Sequence, residues 1–198
     1  MSSLFSMLAD VTGQESSNLA DAIGADQAAT RNATRAALPL LLGALQRNAS
    51  SPDGAAALQG ALERDHDGSI LDNLGDLIRD PSITSGAGIV KHAFGGRQQA
   101  VEQGVGQSSG LDPAQVSRLL TTLAPMVMGM LGKARREQEL DAGGLADMLT
   151  GERRAAESSA PDLASLASLL IDSEGDGLDL GDISKIGGSL LGNLFKKN

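Results

Sequence analysis

The chain has no cysteine, no tryptophan and no tyrosine, and only three phenylalanines among its 198 residues. Without cysteine there are no disulfides, no thiolate nucleophile and no cysteine-ligated metal. Without aromatic bulk, the interior must be filled by Leu, Ala and Met. These are good helix formers, whereas β-branched and aromatic residues that favour strands are scarce, so an all-α fold is expected. Basic residues are also in the minority: the net charge is −9. A chain with no basic stripe neutralises few phosphates, which disfavours nucleic-acid binding. Arg31, Arg35, Arg118, Lys133, Arg135 and Arg136 are too few and too diluted by acids to make a DNA footprint. The longest uncharged apolar stretch, Leu119–Leu131, falls short of the roughly 20 residues that span a bilayer. The N-terminus lacks the basic and apolar regions of a secretory signal, and a cytoplasmic protein is expected.

What is abundant is glycine, 25 residues, together with two uncharged apolar runs, Ala36–Leu45 and Thr122–Leu131. Gly24, Asp26, Ala28, Pro39, Gly43 and Leu45 fall on Gly110, Asp112, Ala114, Pro125, Gly129 and Leu131, each pair 86 positions apart. This echo predicts a duplicated multihelical module: residues 1–80 as the first unit, 81–152 as the second, a linker at 153–162, and a C-terminal helical segment at 163–198. The linker assignment rests on RRAAESSAP, which is small and polar without periodicity.

Helix starts are the clearest local signals. Asp26 is expected to cap a helix reaching about Asn48, with Pro39 kinking or splitting it. Ser51-Pro52 opens another helix, and Asp112-Pro113-Ala-Gln115 has the cap, first-turn proline and third-position Gln of a strong start. Asp141 caps a further one. Ser2 is expected to cap an opening helix, Thr12–Ser17 to form a loop, and Ser69 with Asp72 to make an acidic capping box. Asp80-Pro81 should end the helix that follows, and Gly86–Gly96 should form a short helix of its own.

Two acidic turns resemble a site. Glu63, Asp65 and Asp67 alternate before Gly68, and Asp172, Glu174 and Asp176 alternate before Gly177. Calcium loops use such spacing because alternate oxygen side chains converge on one hard cation while glycine permits the turn. The bidentate acid of the twelfth position is missing, with Leu74 and Ile183 in its place. Acidic residues entering a helix also suit the positive end of its dipole, and helix capping is the simpler reading of both turns. His66 reads as a solvated turn residue and His92 as a helix-surface or capping one. Neither has a partner for a zinc site or a nucleophile–base set. No catalytic group and no cofactor is therefore expected, calcium excepted. Ile183, Ile186, Leu190, Leu194 and Phe195 share a helix face with Lys185, Lys196 and Lys197 near its edge. Such a face packs on the chain's own core or a second copy, or lies on a membrane surface.

The runs LPLLLGALQRNASSPDGAAALQGAL, DHDGSILDNLGDL, GAGIVKHAFGG and VEQGVGQSSGLDPAQVSRLLTTLAPMVMGMLGK, in that order, resemble the YidB-like bacterial family, domain of unknown function nine-three-seven. The resemblance covers about residues 19–150. It implies a multihelical fold of short helices, sometimes called homeodomain-like, and supplies no catalytic or binding residues. Leu178-Asp179-Leu180-Gly181-Asp182 departs from the family's usual sequence after the second acidic turn.

Three functions follow. One is a non-enzymatic interaction or scaffold protein that self-associates through Leu, Met and Ala faces, as a homo-oligomer or with another protein. Another is a calcium-responsive binding module using the turns at 63–72 and 172–182. The third is a membrane-surface protein anchored through residues 183–198.

Overall fold

An uncharged run of ten residues cannot lie on a surface, and in the computed structural model it does not. The structure describes residues 3–81 and 84–159, and its regular elements are all helical. They are α1 (Leu4–Gln14), α2 (Ser16–Ile23), α3 (Gln27–Asn48), α4 (Pro52–Asp65), a 3-10 turn (Ser69–Asn73) and α5 (Leu74–Arg79). There follow α6 (Gly86–Phe94), a short 3-10 turn (Gly95–Arg97), α7 (Gln98–Ser109), α8 (Pro113–Gln138) and α9 (Ala142–Ser159). The all-α fold class expected from composition is the one observed.

Every residue from Ala36 to Leu45 is buried, as is every residue from Thr122 to Gly129. A helix that is apolar all round must be covered all round. Accordingly α3 packs against α1, α2, α6, α7, α8 and α9, and α8 against α3, α4, α6 and α7. Leu38, Leu40, Leu41 and Leu42 of α3 join Leu119, Leu120 and Leu123 of α8 in one continuous core. Each fully buried Leu stabilises the fold by about 1.5–3 kcal/mol relative to exposure. Most of the few buried polar side chains stay within their own helices: the Thr30, Thr34 and Thr122 hydroxyls donate to the carbonyls of Asp26, Thr30 and Arg118 at 2.8, 2.9 and 3.1 Å, while the Ser16 hydroxyl of α2 accepts from Gln27 Nε2 of α3 at 3.1 Å. A hydroxyl satisfied by the carbonyl four residues back leaves no desolvation penalty in the core.

Both long helices continue through their prolines, Pro39 and Pro125, rather than splitting there. Proline removes the donor to the carbonyl four residues earlier. For Pro39 that residue is Arg35, which is exposed. For Pro125 it is Thr121, and the start of α6 is seated on that carbonyl. A Cβ built on Gly86 would stand 2.1 Å from Thr121 O, so only glycine fits there. Such an approach allows a weak Cα–H···O contact to the carbonyl that Pro125 leaves without an amide.

Several local expectations shift. The cap of α1 is Ser3, whose Oγ accepts the Ser6 N–H at 3.1 Å, rather than Ser2. The expected loop at Thr12–Ser17 shrinks to a turn at Glu15, because the Thr12 hydroxyl donates to Leu8 O at 2.7 Å and both Thr12 and Ser16 are buried. The segment read as a linker from residue 153 continues α9 as far as Ser159. An Arg153–Glu157 pair at 2.8 Å supports that turn, and Ala156 is buried in the core. The rest of the expected linker and the C-terminal segment 163–198 lie outside the described residues.

Candidate functional site

The acidic turn at the end of α4 is built by glycine contacts rather than by converging carboxylates. Its backbone lies against the last turns of α8. A Cβ on Gly132 would fall 1.7 Å from His66 O, one on Gly68 2.9 Å from Lys133 Cβ, and one on Gly129 2.5 Å from Ile70 Cγ2. Gly68 itself has φ 100°, a conformation that L side chains rarely adopt. Three glycines thus let the chain turn sharply and press flat on α8.

Each of the expected acidic ligands in this turn has its own neighbourhood. Glu63 pairs with Arg135 of α8 and accepts from Gln59 Nε2 at 2.9 Å. Asp65 is the last residue of α4 and is exposed. Asp67 Oδ1 accepts the Ser69 N–H at 3.0 Å, so Asp67, not Ser69, supplies the side-chain acceptor for the 3-10 turn that precedes α5. That backbone bond holds the Asp67 carboxyl below its ordinary range, with the Ser69 hydroxyl and the Arg136 charge acting the same way. Among the described residues, no three His, Asp or Glu side chains come together as a metal-sized group. Asp172, Glu174 and Asp176, the other expected ligands, lie outside the described residues, as does the apolar face of residues 183–198.

His66 is half-buried rather than solvated. Burial lowers its pKa from the ordinary value, opposed by the adjacent Asp65 carboxylate. His92 is exposed near the end of α6, and its carbonyl accepts from Asn48 Nδ2 at 3.2 Å. Asn48 thereby ties the end of α3 to α6, a link with no sequence signal.

The second notable arrangement joins the two echoed helix starts. Gly24 and Gly110 both adopt the left-handed conformation, with φ 68° and 82°, and two residues later Asp26 and Asp112 cap α3 and α8. Asp26 Oδ1 accepts from Ala28 N and Ala29 N at 2.8 and 3.0 Å. Asp112 Oδ1 accepts from Gln115 N at 2.9 Å while Gln115 Oε1 accepts from Asp112 N at 3.1 Å, completing a reciprocal capping box. Gln115 Nε2 then donates to Gly24 O at 2.8 Å, bridging the two starts. Between them lies an open depression of about 480 Å³, bordered by Asp21, Gly24, Asp26, Gly110, Leu111 and Gln115. Sequence alignment pairs these turns but does not place them side by side.

Two more polar links are invisible in local sequence. Glu152 Oε2 accepts the Phe5 N–H at 2.8 Å, satisfying one of the free amides at the start of α1 from a residue of α9. Arg153 Nη1 donates to Gln46 Oε1 at 3.4 Å. Among the described residues no helix is long and apolar enough to cross a membrane.

Neither a curated protein nor a solved structure matches the chain. A family match does, over residues 6–134, from within α1 to the last turns of α8. The chain therefore belongs to the family described as bacterial protein of unknown function (DUF937).

Proposed function

We propose that this protein is a non-enzymatic helical interaction or scaffold protein that self-associates and needs no cofactor. The observation that carries this reading is the structural commitment of its polar groups. Asp26, Asp112 and Asp141 cap helices, Asp67 caps a turn, Glu63 is paired with Arg135, and Glu152 holds the start of α1. Catalytic acids and bases need a shared cleft and perturbed protonation, whereas these groups are distributed along helix ends. The core is filled chiefly by Leu, Ala and Val, and among the described residues its buried polar side chains are all Ser or Thr hydroxyls, none ionisable.

Size-exclusion chromatography with light scattering, run on the full chain from low to high micromolar concentration, tests the self-association. A mass rising with concentration supports it. A strict monomer at the highest concentration overturns it.

A further inference from the structure

We propose that α9 is an exchangeable arm. It packs in the groove formed by α1, α3 and α4 of its own chain or, when the connection at Glu139–Asp141 opens, in the same groove of a second copy. This rests on the self-association proposed above and names the surface that would carry it.

The first observation is the place of α9 in the core. It lies beyond the family match, which stops at residue 134, yet it packs against α1, α3 and α4. Leu145, Leu149 and Ala156 form its inward stripe and are almost wholly buried, at 0, 0 and 1 % exposure. Two polar links fasten it, Glu152 to the Phe5 amide and Arg153 to Gln46. A second copy offers the same groove and the same two acceptors and donors.

The second observation is the connection. Glu139, the residue that ends α8, has φ 52° and ψ 39°. It is the one non-glycine residue with positive φ among the described residues. An L-residue in the left-handed region is strained, because its Cβ crowds the following carbonyl. Only Leu140 and Asp141 separate this residue from α9. No Gly or Pro occurs from Lys133 to Ala142, so the chain is free to continue α8 through Glu139 as a regular helix. That continuation removes the strain and swings α9 away from its own groove. Short strained hinges favour exchange of this kind, because every native contact is remade between copies while the hinge relaxes.

The third observation is the composition of α9. Gly143, Gly144 and Gly151 lie within its 18 residues, which makes it a weak helix by itself. Its order therefore depends on an occupied groove, in its own chain or in another.

The absence of cysteine makes a direct test simple. Full-length Gln46→Cys and Arg153→Cys variants are prepared separately, mixed at high concentration, joined with a short bis-maleimide crosslinker that replaces the reach of the two side chains, and resolved by denaturing electrophoresis and peptide mass spectrometry. The expected product is a heterodimer linked through positions 46 and 153. The double variant in one chain, crosslinked when dilute, is expected to close the same link within the chain, which establishes that the pair is within reach and that the substitutions fold. Introducing Glu139→Gly, which relieves the strained φ, should lower the yield of the 46–153 heterodimer about fivefold per hinge. A concentration-dependent dimer without the 46–153 link overturns the exchange but leaves self-association standing. A strict monomer overturns both. A yield unaffected by Glu139→Gly overturns the hinge as its cause.

Discussion

The entries to α3 and α8 use the same local grammar and are held in different ways. Each begins with a left-handed glycine, then an aspartate cap, then a proline thirteen residues further on inside the helix. In α3 the aspartate acts alone, since the position of the box partner is Ala29. In α8, Gln115 returns a bond to the cap and also reaches Gly24 O, so the second entry supports the first. The prolines differ too. Arg35, whose carbonyl loses its donor to Pro39, is exposed, whereas the corresponding carbonyl at Thr121 is covered by Gly86 of α6. Identical local signals therefore carry different tertiary obligations, and substitutions separate the two.

The largest effect is expected at the covered proline. Gly86→Ala drives a Cβ to 2.1 Å from a backbone carbonyl that cannot retreat, and should destabilise by about 1–3 kcal/mol or more. Gly88→Ala in the same helix meets nothing within 4 Å and should stabilise by about 0.5–1 kcal/mol. Urea denaturation of the two variants measures the contrast. Equal effects would show that α6 is not seated on Thr121.

A smaller contrast is expected at the caps. Asp26→Ala and Asp112→Ala should each cost about 1 kcal/mol. Gln115→Ala should cost more than a box partner alone is worth, because it also strands the contact to Gly24 O. In a double-mutant cycle, Gln115→Ala should weaken the effect of Asp112→Ala, since the two share one box. Additive values would mean that the box contributes nothing beyond its separate bonds.

The smallest effect is expected from acid at the turn docked on α8. The folded His66 pKa lies below the ordinary 6.5. As pH falls below that value the unfolded chain binds the proton first, and stability declines with acidification. Asp67, also lowered, contributes stability above its ordinary 3.8 that is lost at still lower pH. His66→Gln should flatten the decline between about pH 7 and 5 in thermal unfolding, leaving the lower segment intact. An unchanged slope would show that the turn does not bury His66.

The legible part of this molecule lies within short windows. Capping residues, first-turn prolines and apolar periodicity announce α3, α4, α8 and the start of α9, because each signal acts within about one helical turn. The acidic turn shows where such reading ends. Alternating carboxylates leave convergence on a cation and capping both open, with capping the simpler; Asp67 does bond its own backbone, but Glu63 is drawn aside by Arg135. Neither Arg135 nor the glycine face of α8 is near in sequence. The same limit hides the Phe5–Glu152 bond and the docking that extends α9 to Ser159.

Composition and periodicity by themselves determined an all-α fold with two long helices whose central runs are uncharged, since an apolar surface on every side leaves no stable exposed alternative. Tertiary structure alone decided what covers those helices, which glycines touch a neighbouring backbone, and that Glu63 pairs with Arg135. Such contacts depend on distances between segments many residues apart, and no local rule encodes those distances.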